Sequence, residues 1–318
     1  MRRDIIQAMT RRHLLAAGAA FAATSRLWGK AGIDKSRISA ITDEIGLSTL
    51  EAIAFAHHYG LENVEIRNPA DRGRKEYALL PEAEIKTDAG LFAREGLKVS
   101  FVNTSLLKFT WPGSEPARKR NETPEARERR LANEKARWER RFDDAQLAIR
   151  CAHIMGCDKV RVFAGSRVAE PPTMYPRIAD TLGELSKMAE RENVYFLLEN
   201  EGSQNVATSQ EIADVLKLVP SKWIGFNWDP NNAHGMETAY PDGYNAVPKE
   251  RMMNLQIKGR GIMPPNPHED WKTILTALNN DNYRYKIGLE THLFDGTLIT
   301  AAHKSMDEIL RIVNSLQS

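Results

Sequence analysis

At 318 residues, 42% of them hydrophobic and 27% charged, the chain has the apolar content for a sizeable core in one large or two medium domains. No stretch approaches the roughly eighteen consecutive apolar residues that a membrane span needs. The net charge of +2 is set by the first thirty residues, where Arg2, Arg3, Arg11, Arg12, Arg26 and Lys30 against Asp4 give +5; without them the chain stands at −3, so its basic balance is no argument for a nucleic-acid partner.

Those thirty residues join Arg2-Arg3 and Thr10-Arg11-Arg12-His13-Leu14-Leu15 to the short apolar run LLAAGAAFAA, the layout of a twin-arginine export signal. The expectation is a segment outside the fold and a periplasmic or otherwise exported protein. An ordinary amphipathic first helix is the alternative, disfavoured because Ala and Gly fill its apolar face and no helix stop follows. Cys151 and Cys157 are the only cysteines and flank one helix end, where small buried residues are expected rather than a disulfide frame.

From residue 37 the chain alternates β-branched runs with helical segments. RISAIT (37–42) precedes STLEAIAFAHHYG, NVEIR (63–67) precedes PEAEIKTDAGLFAREG, and KVSFVNT (98–104) precedes a long charged segment ending DDAQLAIRCAHIMG. KVRVFAG (159–165) leads to MYPRIADTLGELSKMAERE, NVYFLLEN (193–200) to SQEIADVLKLV, and WIGFNWD (223–229) to GYNAVPKERM. MNLQIK (253–258) is followed by EDWKTILTALNN, and YKIGLE (285–290) by ITAAHKSMDEILRIVNSLQ. The helices carry apolar residues at three- and four-residue steps, as at Ile212, Val215, Leu216 and Val219, and several stop at a glycine such as Gly60, Gly96 or Gly156. The strands are almost continuously apolar, as a parallel sheet covered on both faces requires. Eight such units predict one (β/α)8 barrel over residues 37–318, not an open doubly wound sheet. No Gly-rich phosphate loop follows any strand, which disfavours nucleotide binding.

Residues 109–141 stand out as an insertion. Between Arg118 and Arg141 they hold ten basic and five acidic residues, with pairs such as Glu125 and Arg129 at helical spacing. A solvated helix extension is the expectation and a polyanion surface the alternative; the turn from Trp111 to Pro116 could fold over the barrel mouth.

In such a barrel the reactive groups gather at the C-terminal strand ends. There the chain has Glu199 in LLENE, Asp229 in FNWDP, Gln256 in LQIKG and Glu290 in GLETH, with Lys258 as the one obvious interior cation. Three converging carboxylates repel and raise one another's pKa unless a cation lies between them. Three carboxylate oxygens and an amide oxygen make a hard site, pointing to Mn²⁺ first, with Mg²⁺ or Co²⁺ as alternatives, and away from structural zinc. Arg67, Asn103, Lys258, His234 and His292 are candidate substrate contacts; the first three could equally form interior ion pairs or hydrogen bonds. Trp111 and Trp228 are candidate walls for a sugar ring or ordinary core.

The segment DEIGLSTLEAIAFAHHYGLENVEIR, with LLEN, NWDPNNA, QIKG and GLE in this order, resembles the sugar phosphate isomerase/epimerase family of xylose-isomerase-like barrels, from residue 37 to the end. The resemblance implies a Glu-Asp-His-Glu metal site in which the two Glu also serve as acid and base on opposite faces of the substrate. Glu199, Asp229 and Glu290 match. Gln256 stands where the family's HxKD pattern has His, and Gly259 where it has Asp; related dehydratases are similar in using Gln there. Gln256 is therefore expected as the fourth ligand through its amide oxygen, or, in a metal-free site, as an interior hydrogen bonder.

The implied chemistry is removal of a proton next to a carbonyl by Glu199 or Glu290, giving an enediolate. Returning the proton isomerises or epimerises an unphosphorylated sugar or keto sugar; loss of a β-substituent would instead cleave a 3-keto-glycoside. Folding and metal loading before export would favour Mn²⁺. A non-catalytic sugar-binding barrel is the alternative of another class. The abasic-site nuclease branch is least favoured, because Arg67, Asn103 and Gln256 stand where it needs histidines. The expected partner is a small carbohydrate, with a homo-oligomer allowed and neither nucleic acid nor a membrane span expected.

Overall fold

A computed structural model of the protein describes residues 32–317, apart from 72–74, 119–120, 266 and 294. The export-signal reading of residues 1–30 lies outside the described residues. Eight parallel strands form the core: β1 (Ile38–Ala40), β2 (Asn63–Ile66), β3 (Lys98–Val102), β4 (Lys159–Val162), β5 (Tyr195–Glu199), β6 (Ile224–Trp228), β7 (Met252–Lys258) and β8 (Lys286–Glu290). From β2 to β8 each strand pairs with the next in chain order, and β8 returns to pair with β1. A bridge between Ile41 and Glu65 draws β1 and β2 together, so the barrel is nearly closed.

The long helices are α1 (Thr49–Tyr59), α2 (Glu82–Arg94), α3 (Pro124–Glu139), α4 (Arg141–Met155), α5 (Tyr175–Glu192), α6 (Ser209–Lys217), α7 (Trp271–Asn280) and α8 (Leu298–Ser315). Gly60 and Gly156 adopt the left-handed conformation that ends α1 and α4, as their position in the sequence predicts. The helix predicted after β6 does not form. Short turns at Ala239–Gly243, Tyr244–Ala246 and Lys249–Arg251 take its place. Pro248 explains the break: it has no N–H to continue a helix and holds Val247 extended, at ψ 142°.

The charged insertion contributes α3, capped by the Thr123 hydroxyl. Its Arg130 donates to Glu134 at 2.8 Å and to Glu122 at 3.0 Å, so part of the basic charge is balanced locally. The helix is anchored by Trp138, whose ring centroid lies 4.8 Å from that of buried Trp111, with the Arg177 guanidinium 4.4 Å from the Trp138 ring. Trp228 is also buried and gives its indole N–H to Ser209 Oγ at 3.0 Å. Both tryptophans are therefore core residues, and the sugar-wall alternative is corrected for both.

The barrel interior is layered. Phe101, Leu197 and Met253 make a small apolar plug, separate from the main core beneath the helices. A polar layer of Ser39, Glu65, Asn103, Asn254 and Gln256 meets across the barrel axis. The charged strand ends follow, at the C-terminal face where the crossover loops leave an opening. Gly288 on β8 makes the polar layer possible: a Cβ there would lie 2.1 Å from Glu65 Oε1.

Candidate active site

Glu199 and Glu290 are the last residues of β5 and β8, and Asp229 directly follows β6. Each offers one carboxylate oxygen, and the three oxygens lie within 4.8 Å of one another, a spacing that one divalent ion can span. Glu44, Glu290 and His292 form a second such group sharing Glu290. A cavity of about 370 Å³ opens above them, lined by Arg67, Arg161, Glu199, Lys258, Glu290 and His292 among others. Asp229 and Gln256 are fully buried.

Local sequence explains how rigidly these groups are held. Asn200 clamps the backbone of Asp229, accepting its N–H at 2.9 Å and donating to its carbonyl at 2.7 Å. Asn232 gives its backbone N–H to Asp229 Oδ1 at 3.1 Å, and its side chain donates to Glu199 Oε1 at 3.3 Å and to the Asn200 carbonyl at 2.9 Å. The LLEN and NWDPNNA motifs thus lock two carboxylates together. After β8, His292 takes a left-handed conformation (φ 50°) that delivers its N–H to Glu44 Oε2 at 2.7 Å, local strain stabilised by a charged hydrogen bond.

Each strand-end carboxylate has a cationic partner. Arg161, buried on β4, donates to Glu199 Oε2 at 3.1 Å. Lys258 Nζ lies 2.8 Å from Glu290 Oε2 and 3.1 Å from Asp229 Oδ2. Arg67 reaches Glu290 at 3.3 Å, Asp43 at 3.0 Å and Glu44 at 2.6 Å. The expectation that Lys258 is the one interior cation is therefore corrected. Burial pushes Glu290 up, but Lys258, His292, Arg67 and Arg161 together hold it well below the usual carboxylate range. Asp229 goes the other way: burial, against the opposing pull of Lys258, pushes it up to about 7. Hydrogen bonds to Glu290 and Glu44 hold His292 up at about 9.

The structure brings Glu199, Asp229, Glu290, Lys258, Arg67 and His292 into one site. Gln256 and Asn103 lie in the polar layer, where Gln256 Nε2 donates to Glu65 Oε2 at 2.8 Å and to Asn103 Oδ1 at 3.3 Å. His234 is exposed; it stacks on His268 with ring centroids 4.5 Å apart and is not among the residues lining the cavity. Arg161, Asn227, Asn232, Glu44 and Glu65 were not singled out from the sequence. Cys151 and Cys157 are free and buried, and burial pushes both thiols up to about 12, as suits packing residues.

Two observations bear on a cation here. Gln256 Oε1 is buried and accepts no hydrogen bond, and Asp229 Oδ2 is buried with the Lys258 ammonium 3.1 Å away, and such oxygens fit a hard divalent ion. Lys258 meanwhile supplies positive charge to two of the three carboxylates, so an entering ion must share or displace its ammonium group.

Residues 53–315 match the family described as xylose isomerase-like TIM barrel. No curated protein gives a significant sequence match. Among solved structures the chain resembles 3-keto-D-glucoside 4-epimerase from E. coli, at 14% identity and a TM-score of 0.64, covering 87% of this chain and 99% of that one. It also resembles a xylose isomerase-like barrel protein from Mycobacterium smegmatis in complex with magnesium, at 15% identity and a TM-score of 0.63, covering 89% and 98%. A third is the IOLI protein with a bound zinc atom, at 15% identity and a TM-score of 0.63, covering 88% and 99%. At these identities the likenesses speak for the fold, and with the family match they establish that the chain belongs to the xylose isomerase-like TIM barrel family.

Proposed function

We propose that the protein is an isomerase or epimerase of an unphosphorylated sugar or keto sugar, working by proton transfer at the carbon next to a carbonyl. The observation that carries this reading is the pairing of Glu199 and Glu290 across one cavity, Glu199 held by Arg161 and Glu290 by Lys258. Glu290 is an anion at neutral pH and is assigned as the base; the C–H electron pair moves toward the carbonyl oxygen as the proton leaves. Glu199 gives a proton from the other side, to the neighbouring carbon for isomerisation or to the same carbon for epimerisation, so that it ends the cycle as the carboxylate while Glu290 ends it protonated. Arg161 and Lys258 line the cavity and stabilise the negative charge that develops on oxygen. Glu199, Asp229, Glu290 and Gln256 would hold a divalent metal, Mn²⁺ or Mg²⁺ by the hardness of the donors, and when bound it would polarise the carbonyl and acidify the adjacent C–H. The basic first thirty residues support export as part of this proposal, and the likeness to a keto-glucoside epimerase supports a keto sugar as substrate class.

His292 favours a second reading. Protonated at neutral pH and facing the cavity, it is placed to hand a proton to a departing β-substituent, which would make the protein a lyase of 3-keto-glycosides. Incubation with keto sugars and 3-keto-glycosides in D₂O separates the cases. Deuterium next to the carbonyl with the skeleton intact supports isomerisation or epimerisation, and release of the aglycone supports elimination. No exchange with any of them, with or without Mn²⁺, would sink both readings.

A further inference from the structure

We propose that Glu65 is a positioning residue: from the middle of the barrel it sets the orientation of four amides, three directly and Asn227 through Asn254, aiming a donor at Glu199 and leaving the Gln256 oxygen free. The consequence for Gln256 as a metal ligand rests on the function proposed above; the orientation itself does not.

Glu65 is fully buried in β2. Its Oε1 accepts from Ser39 Oγ at 2.9 Å and Asn254 Nδ2 at 3.2 Å. Its Oε2 accepts from Gln256 Nε2 at 2.8 Å and Asn103 Nδ2 at 3.0 Å. Both of its oxygens accept, each from two donors, and no acceptor faces them. Each amide must therefore turn its NH₂ toward Glu65.

Two branches lead away from it. Asn254 shares its NH₂ with Asn227 Oδ1 at 3.0 Å, and Asn227, its oxygen used, gives its own NH₂ to Glu199 Oε2 at 2.7 Å. Glu199 Oε2 also takes an Arg161 N–H at 3.1 Å and so stands as an acceptor, and the chain Glu65, Asn254, Asn227, Glu199 has one direction fixed from both ends. On the other branch, Gln256 commits its NH₂ to Glu65 and to Asn103, and its Oε1 stays buried without a donor. Replacing the carboxylate by an amide removes the acceptor that makes these choices, and every amide in the network can then flip.

The test is NMR of side-chain NH₂ groups in the full-length, metal-free protein labelled with ¹⁵N at Asn and Gln, together with Mn²⁺ binding followed by EPR. The native protein should show slowly exchanging NH₂ signals for Asn227, Asn254 and Gln256. In Glu65→Gln all three should move or lose protection, and Mn²⁺ affinity should fall about tenfold to a hundredfold. In Asn254→Ala the Asn227 signal should change while that of Gln256 stays. Unchanged Asn227 and Gln256 signals in Glu65→Gln overturn the proposal, as does joint movement of both in Asn254→Ala; the second variant decides alone if the first does not fold. If the native protein binds no Mn²⁺ but the amides respond as stated, the positioning role stands and the metal reading fails.

Discussion

Lys258 Nζ lies 3.1 Å from Asp229 Oδ2 and 2.8 Å from Glu290 Oε2, inside the set of carboxylates that a divalent ion would use. A lysine there neutralises the site without a metal and competes with one that enters. Lys258→Met should therefore lower the stability of the metal-free protein, because two buried carboxylates lose their counter-ion, and should tighten Mn²⁺ binding about tenfold. Thermal melting with and without Mn²⁺ checks both: the rise in Tm on adding metal should be larger in the variant than in the native chain. Equal or smaller rises would show that the ion and the ammonium group do not share space.

Glu199→Gln and Glu290→Gln keep the side-chain shape and remove the proton-transfer group. Each should lower solvent exchange at the carbon next to the carbonyl by about 10²- to 10⁴-fold, while sugar binding by calorimetry changes only a few-fold. Retained exchange in both variants would move the acid and base elsewhere, and lost binding in both would favour a structural role.

These two glutamates were legible in the sequence, and the physical reason separates them from the groups that were missed. A carboxylate directly after an apolar run marks a strand end, and strand ends form the mouth of such a barrel, so Glu199, Asp229 and Glu290 could be found one by one. Arg161 and Glu65 lie inside their strands, in KVRV and NVEI. The signal was present: in a strand covered by helices on its outer face, a single charge between two β-branched residues can only point inward. Its partner was not legible. Arg161 finds Glu199 on the neighbouring strand and Glu65 finds Gln256 across the barrel, contacts set by closure of the sheet rather than by local pattern. The eight-unit alternation gave the architecture for the opposite reason, since it is local and repeated; it failed only after β6, where Pro248 breaks the helix.

His292 gives the pH dependence. Its folded value of about 9 lies above the ordinary 6.5, so its partnership with Glu290 and Glu44 stabilises the fold fully below about pH 6.5 and is lost as pH rises through about 9. Because its side chain is 47% exposed, solvent screens part of the effect. In chelator-treated protein, the gap in urea midpoint between native and His292→Gln should be widest near pH 6 and shrink toward pH 10. A gap that stays constant with pH would mean that the ring is neutral throughout.

Gly288 tests how tightly the polar layer is built. A methyl at this position would lie 2.1 Å from Glu65 Oε1 and 2.6 Å from its carboxyl carbon, so Gly288→Ala must move a buried carboxyl group away from its four donors or displace β8. Overpacking alone costs about 1–3 kcal/mol, and unpaired polar groups add to it. The variant should melt several degrees lower, with the loss exceeding that of Gly183→Ala, where a Cβ meets nothing within 4 Å.

Arg161→Met separates the electrostatic role of the interior cations from their packing. Arg161 is buried, donates to Glu199 Oε2 at 3.1 Å and ties β4 to the Thr104 carbonyl at 3.1 Å. Methionine keeps much of the volume but leaves Glu199 with hydrogen bonds from Asn227 and Asn232 and no direct ionic partner. Breaking one side of a buried pair costs about 3–5 kcal/mol, because the remaining charge stays desolvated. The double variant Arg161→Met/Glu199→Gln removes that stranded charge and should recover part of the loss, measured by urea unfolding at pH 7. Recovery of stability without recovery of solvent exchange would assign Arg161 to its pairing with Glu199 in the barrel mouth; no recovery at all would assign it to the contact with Thr104.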